Sequence, residues 1–112
     1  MSGDRELVSL DLFNRMDIRV VEVVSVERIP GKTKIYKGVI DIGGERLEIV
    51  IGGAEYYPPE YFVGKKFVAI VNLEPKRIAG VLSRGMLLAA VVGDKPIWIV
   101  PEEDVPVGTR VY

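Results

Sequence analysis

Short runs of β-branched and apolar residues, separated by glycine and proline breaks, constrain this sequence more than any other feature. The predicted strands cover residues 18–26, 36–42, 45–51, 66–73 and 86–92. In the third run, Leu47, Ile49 and Ile51 alternate with the residues between them, a period typical of a half-buried strand. The pair Gly43-Gly44 is a two-residue hairpin signal. Short strands with such turns predict an all-β barrel or sandwich.

Two short helices complete the predicted pattern. Residues 9–15 can form a helix with Ser9 as its N-cap, and residues 54–63 can form another whose first turn accepts proline. Residues 74–85 read as a long basic connection, and residues 97–100 and 109–112 as further short strands. A helix between the third and fourth strands is typical of the oligonucleotide-binding (OB) fold. We therefore predict one domain over residues 1–112, a five-stranded Greek-key OB barrel with N- and C-terminal extensions.

The chain contains no Cys and no His. Disulfides, thiolate nucleophiles, most zinc sites and the commonest general acid–base residue are therefore excluded. We expect no enzyme activity, no catalytic residue, no metal and no cofactor. No run of eighteen apolar residues is present, and Met1 to Arg5 lack a signal-peptide core, so we expect a cytoplasmic location. Abundant Val, Ile and charged residues resemble the composition of proteins from thermophiles.

The net charge of −1 hides two basic segments. Residues 30–38 contain three lysines and no acid, while residues 65–84 contain five basic residues and one acid. In an OB barrel the first segment joins strands one and two, and the second includes the loop between strands four and five. These loops flank the face on which such barrels bind oligonucleotides. We therefore predict that the two segments meet at one rim of the barrel.

Four motifs carry a resemblance to a known family. They are DIRV at 17–20, IYKGVIDIG at 35–43, NLEPKRIAG at 72–80 and SRGMLLA at 83–89. Together they resemble the tRNA-binding domain at the C-terminus of methionyl-tRNA synthetases. Free-standing tRNA-binding proteins, the CsaA export chaperone and endothelial monocyte-activating polypeptide have similar domains. The resemblance covers roughly residues 11–111, and its specific part is 72–86.

The resemblance implies an OB-fold that recognises tRNA mainly by shape and backbone. Free-standing members are usually homodimers, so we expect a homodimer here. A chain of this length has no room for a synthetase catalytic domain, so we expect a β subunit or trans-acting partner of a methionyl-tRNA synthetase chain. The open alternative is a CsaA-like export chaperone that binds unfolded polypeptide. An oligosaccharide-binding OB domain is a third reading, for which the basic loops would be superfluous.

Six cations are candidates for binding tRNA. Lys76 and Arg77 are predicted to bind phosphates, Lys32, Lys34 and Lys37 to form a second positive wall, and Arg84 is a further tRNA-binding candidate. The alternative for each is an ordinary solvated loop charge.

Four further side chains are candidates with equally open alternatives. Ser83 can donate a hydrogen bond to phosphate or ribose, or can be a turn serine. Met86 can pack on an unstacked base or belong to the core. Asn72 can touch RNA or position its loop. Tyr36 can stack on a base or cap the core from strand two.

Overall fold

The structure is a computed structural model that describes residues 5–112; the expectation about a leader at the first residues lies mainly outside this range. Its elements in chain order are α1 (Leu10–Asn14), β1 (Ile18–Arg28), β2 (Ile35–Asp41), β3 (Arg46–Gly52), α2 (Pro59–Phe62), β4 (Lys66–Ile70), β5 (Lys76–Ile78), β6 (Val81–Ser83), β7 (Met86–Leu87), β8 (Ala89–Val92) and β9 (Lys95–Trp98). As predicted, Ser9 caps α1, its Oγ accepting the Leu12 N–H at 3.0 Å. Within residues 5–112 no helix is long and apolar enough to cross a membrane.

Five antiparallel strands form the main sheet, in the order β3-β2-β1-β4-β7. The sheet curls until β3 meets the chain around β6 and β7. There the Arg84 N–H donates to the Glu48 carbonyl at 2.9 Å. The result is the nearly closed five-stranded barrel of an OB-like fold, which confirms the predicted fold class.

The long first strand, β1, serves two neighbours. Residues 18–22 pair with β4, and residues 22–28 pair with β2. The register with β2 shifts between Val23 and Ser25, where one extra residue makes a β-bulge. A bulge bends a strand and increases its twist, which lets one strand turn the corner of a small barrel.

The barrel is filled by the inward faces of its strands and closed at one end by α2. Leu47, Ile49 and Ile51 are buried, as their alternation predicts. Gly38 leaves room for this packing, because a Cβ there would lie 2.6 Å from Cδ1 of Ile51. Phe62 of α2 is fully buried. This core holds the strands of the barrel in place.

The structure corrects five boundaries in the sequence prediction, and the first is the strand predicted over 97–100, which is β9 at Lys95–Trp98. The helix predicted over 54–63 is confined to Pro59–Phe62, because Pro58 adopts an extended conformation and a residue before proline disfavours the helical region. The predicted strand 66–73 ends at Ile70. The run 86–92 is split into β7 and β8, and β8 leaves the barrel to pair with β9. Residues 109–112 make only an isolated bridge, between Arg110 and Arg19.

The connection 74–85 contains a β-hairpin that the sequence did not predict. Strands β5 and β6 pair, with Ile78 opposite Val81. The turn residues Ala79 and Gly80 both have positive φ, 51° and 82°. This is the backbone of a type I′ turn, which suits the twist of a hairpin. The hairpin forms part of one wall of a surface groove.

Candidate nucleic-acid interface

A groove of about 600 Å³ runs between the outer side of β2–β3 and the segment 73–86. One wall comes from Ile35, Val50 and Gly52, and the opposite wall from the residues around the β5–β6 hairpin. The lining residues of the second wall are Leu73, Glu74, Lys76, Ile78, Ser83, Gly85 and Met86. The groove is therefore mainly apolar, with one carboxylate and one ammonium group. It lies on the face that OB barrels use for ligands.

The two basic segments lie side by side at this groove, as the sequence predicted. Ile35 from the first segment and Lys76 from the second line the same groove. A neighbouring cavity of about 300 Å³ is lined by Pro30 and Lys37 from the first segment and by residues 79–81 from the second. Barrel closure is the cause, because β6 packs against β3, which pairs with β2.

Five of the six candidate cations are exposed, namely Lys32, Lys34, Lys76, Arg77 and Arg84. Among them, only Lys76 lines the groove. The Arg77 guanidinium donates to the Gly80 carbonyl at 3.3 Å, a contact that holds it over its own hairpin turn. Lys32 and Lys34 lie at the β1–β2 connection and line neither cavity. They can still contribute charge, since phosphates need not enter the groove.

Lys37, also a cation of the first segment, is already paired. Its Nζ lies 3.3 Å from Glu48 and 3.6 Å from Glu27. The hydrogen bond with Glu48 and the attraction of both carboxylates raise the pKa of Lys37. Its charge is therefore largely balanced within β1–β3, and the free positive charge of this segment rests on Lys32 and Lys34.

Ser83 lines the groove but uses its hydroxyl inside the protein. The side chain is only 8% exposed. Its Oγ accepts the Val50 N–H at 3.0 Å and donates to the Gly85 carbonyl at 3.2 Å. The predicted donation from Ser83 to a phosphate or ribose is therefore corrected, because its single proton is already donated. The residue joins β6 to β3 at the seam of the barrel.

Tyr36 is part of the core. It is 1% exposed and packs edge-on against Phe62. Its hydroxyl donates to the Tyr57 carbonyl at 2.6 Å. The predicted stacking of Tyr36 on a base is therefore corrected: a buried ring has no face to offer, and the alternative of a core residue describes it.

Asn72 hydrogen-bonds to residues 15–17 and so positions the start of the groove wall that begins at Leu73. Its Oδ1 accepts the Asp17 N–H, and its Nδ2 donates to the Arg15 carbonyl, both at 2.8 Å. These contacts occupy the polar end of the side chain. Of its two predicted roles, the structure favours positioning of the loop over contact with RNA.

Met86 is available to a ligand. It is 48% exposed although it lies in β7, and it lines the groove. Sequence reasoning missed two other lining residues of the groove, the apolar Leu73, which is 42% exposed, and the charged Glu74. The one sequence signal for these two residues was weak. It was a single leucine directly before Glu74-Pro75, in a segment that is otherwise mainly polar.

Comparisons with known proteins identify the relatives of this chain. The family model described as a putative tRNA binding domain matches residues 18–110. A methionine–tRNA ligase of Methanoculleus marisnigri is 46% identical over 105 residues, which cover 94% of this chain but only 16% of the ligase. The chain thus spans a small part of the curated relatives it matches.

Two solved structures share the fold over nearly their whole length. A MetRS-related protein from Pyrococcus horikoshii superimposes with a TM-score of 0.89 at 42% identity, covering 96% of this chain and 100% of that one. The chaperone CsaA from Bacillus anthracis superimposes with a TM-score of 0.84 at 26% identity, with the same coverage. By the match of the family model and by this likeness in sequence and structure, the chain belongs to the tRNA-binding domain family.

Proposed function

We propose that this chain binds tRNA without catalysing a reaction, reading mainly the shape and phosphate backbone. The observation that carries the proposal is the meeting of two basic segments along one groove of the barrel. Positive loops around a ligand groove are what a polyanion requires. The net charge of −1 supports a localised site rather than general attraction to nucleic acid. On this function we expect a cytoplasmic location.

In the described part of the chain, the cations proposed to hold phosphates are free of salt bridges, although Glu74 lines the same groove as Lys76. Within residues 5–112, Lys32, Lys34, Lys76, Arg77 and Arg84 make no ion pair. Each can therefore bind a phosphate without first breaking an internal salt bridge. Neutralising phosphates releases condensed counterions, so affinity should fall linearly with the logarithm of salt concentration.

The test is filter binding of total tRNA at several salt concentrations. Lys76→Ala with Arg77→Ala should lower affinity and reduce the salt slope by about 1.5 to 2. The matched control removes two exposed cations outside both basic segments, by Arg5→Ala with Lys95→Ala, and should leave the slope unchanged. Equal slopes for both double variants would refute the proposed site.

We further propose that the chain works together with a methionyl-tRNA synthetase, as its β subunit or trans-acting partner. The support is the 46% identity to part of a methionine–tRNA ligase. Such a module raises the local concentration of tRNA near the catalytic chain. Affinity purification of the tagged chain should recover a catalytic synthetase polypeptide, and its absence from the purified material would contradict this pairing.

A second candidate function is that of a CsaA-like chaperone. The groove's apolar walls favour it, particularly the exposed Leu73 and Met86, as does the likeness to CsaA. Unfolded polypeptide would offer apolar side chains to the same surface. Competition separates the two functions: denatured protein that displaces tRNA at low concentration, with binding indifferent to salt, would favour the chaperone.

We propose that the chain is a homodimer. Two stretches expose large apolar side chains, one before and within α1 and one on the β8–β9 hairpin and after it. They are Leu7, Val8 and Leu10 in the first stretch and Val91, Val92, Ile97, Ile99 and Val100 in the second. Covering such surface favours self-association. Light scattering at micromolar concentration should give twice the mass of the chain, and a monomer mass would contradict the proposal.

A further inference from the structure

We propose that the groove between β2–β3 and segment 73–86 holds one unstacked guanine of an RNA ligand, read by Glu74 and Lys76. The inference rests on the proposed function and deepens it. Shape and backbone contacts bring the RNA to the rim, and this pocket would add a preference for one base. The candidates for the base contact line the groove itself, and Lys76 is the rim cation among them.

The groove suits a base better than a phosphate. Its volume of about 600 Å³ lies within the range of small-ligand sites and exceeds what one nucleotide needs. Ile35, Val50, Leu73 and Met86 supply apolar surface on both sides. Unstacked bases bind by packing their faces on such side chains. A phosphate inside the groove would gain nothing from these walls and would be repelled by Glu74, so we place the backbone phosphates just outside it, where the charge of Lys76 still attracts them.

Glu74 and Lys76 are the two charged groups inside the groove, and both are free to bind a ligand. Within residues 5–112 neither makes an ion pair, with the other or with any other residue. Both side chains are exposed and line the same groove. A carboxylate and an ammonium group in one apolar groove can recognise a base edge that presents donors beside an acceptor.

Guanine has that edge. Its N1–H and N2–H₂ are adjacent donors that can bond both oxygens of one carboxylate, and its O6 is an acceptor for a lysine ammonium. Cytosine and adenine each present a single amino donor next to a ring acceptor, which would face the second carboxylate oxygen unfavourably. Uracil presents one donor between two acceptors. Guanine is therefore the base that satisfies Glu74 fully.

The test uses fluorescein-labelled single-stranded hexaribonucleotides and measures binding by fluorescence anisotropy. The three probes are oligouridylate, the same strand with one central guanosine, and the same strand with inosine there. Inosine lacks only the N2 amino group. A good bidentate base contact is worth about a five- to 150-fold change in affinity. The guanosine probe should therefore bind at least about fivefold more tightly than both others.

The protein variants are Glu74→Gln and, as a control, Glu103→Gln, which removes an exposed carboxylate outside the groove. The first should bind the guanosine and inosine probes equally, while the control keeps the preference. Equal binding of the three probes by the unaltered chain would overturn the inference. So would a guanosine preference that survives in Glu74→Gln.

Two further outcomes keep this inference separate from the proposed function. If tRNA binding keeps its salt slope while guanosine and inosine bind alike, only the base pocket is refuted. If a labelled apolar peptide containing lysine displaces the guanosine probe and guanosine shows no advantage over inosine, the groove is a peptide site and the inference is overturned. If the unaltered chain does not bind tRNA at all, the proposed function itself is refuted.

Discussion

Replacing Ser83 with Ala should destabilise the barrel, because this side chain takes the place of a backbone hydrogen bond at the seam. The Val50 N–H points from β3 toward β6 and donates to the Ser83 Oγ at 3.0 Å rather than to a backbone carbonyl. The same oxygen donates to the Gly85 carbonyl at 3.2 Å. Alanine leaves the Val50 N–H and the Gly85 carbonyl without these partners. Because Gly85 is buried, water cannot readily replace the lost bond to its carbonyl.

The expected cost follows from those two groups. Each buried polar group left unsatisfied costs about 1–3 kcal/mol. Partial hydration from the groove lowers the cost on the Val50 side, so we expect a total of about 2–4 kcal/mol. For a chain of this size that corresponds to a fall in Tm of about 10–20 °C.

Thermal and urea unfolding, followed by circular dichroism, measure this loss. Ser25→Ala is the matched control, because Ser25 is an exposed serine of β1 whose hydroxyl makes no hydrogen bond within residues 5–112. The control should change stability by less than about 0.5 kcal/mol. Equal stability of the two variants, with tRNA affinity lost only in Ser83→Ala, would show that Ser83 contacts RNA and that the seam argument is wrong.

Three smaller predictions concern Tyr36, Asn72 and Asp17. Tyr36→Phe removes the bond to the Tyr57 carbonyl and should cost about 1–2 kcal/mol in urea unfolding while leaving tRNA affinity unchanged; loss of affinity alone would restore a binding role. Asn72→Ala removes two hydrogen bonds and should cost about 1–3 kcal/mol, with tRNA affinity reduced through a looser groove wall and restored by added osmolyte. The hydrogen bonds from Arg19 lower the pKa of Asp17, so the carboxylate contributes fully to the free energy of unfolding near neutral pH, and this contribution is lost as the pH falls below about 4. Asp17→Asn should therefore flatten the acid part of a plot of unfolding free energy against pH. An unchanged plot would contradict this prediction.

Much of the fold was predictable because the strands carry their own signals. The alternation of Leu47, Ile49 and Ile51 and the glycine pair at 43–44 identify a hairpin with one buried face. The helix before β4 then indicates the barrel topology. The convergence of the basic segments followed from that topology and needed no further information.

The details of the groove were not predictable, for two physical reasons. The β5–β6 hairpin turns on Ala79, an alanine at φ 51°, where turn statistics lead one to expect Gly or Asn. The roles of Tyr36, Asn72 and Ser83 depend on which backbone groups the fold brings to them, across 21, 55 and 33 residues of chain. Residue type alone leaves such polar side chains equally suited to RNA or to the protein itself.

We propose that the loops 30–38 and 74–85 act as one cationic rim around one groove. The most direct measurement is the salt slope of tRNA binding for Lys32→Ala with Lys34→Ala, for Lys76→Ala with Arg77→Ala, and for all four changes together. We predict that each pair lowers the slope by about 1.5 to 2 and that the four together lower it by about three to four. If only one of the two double substitutions lowers the slope, tRNA does not contact both loops, and the two loops do not form one rim.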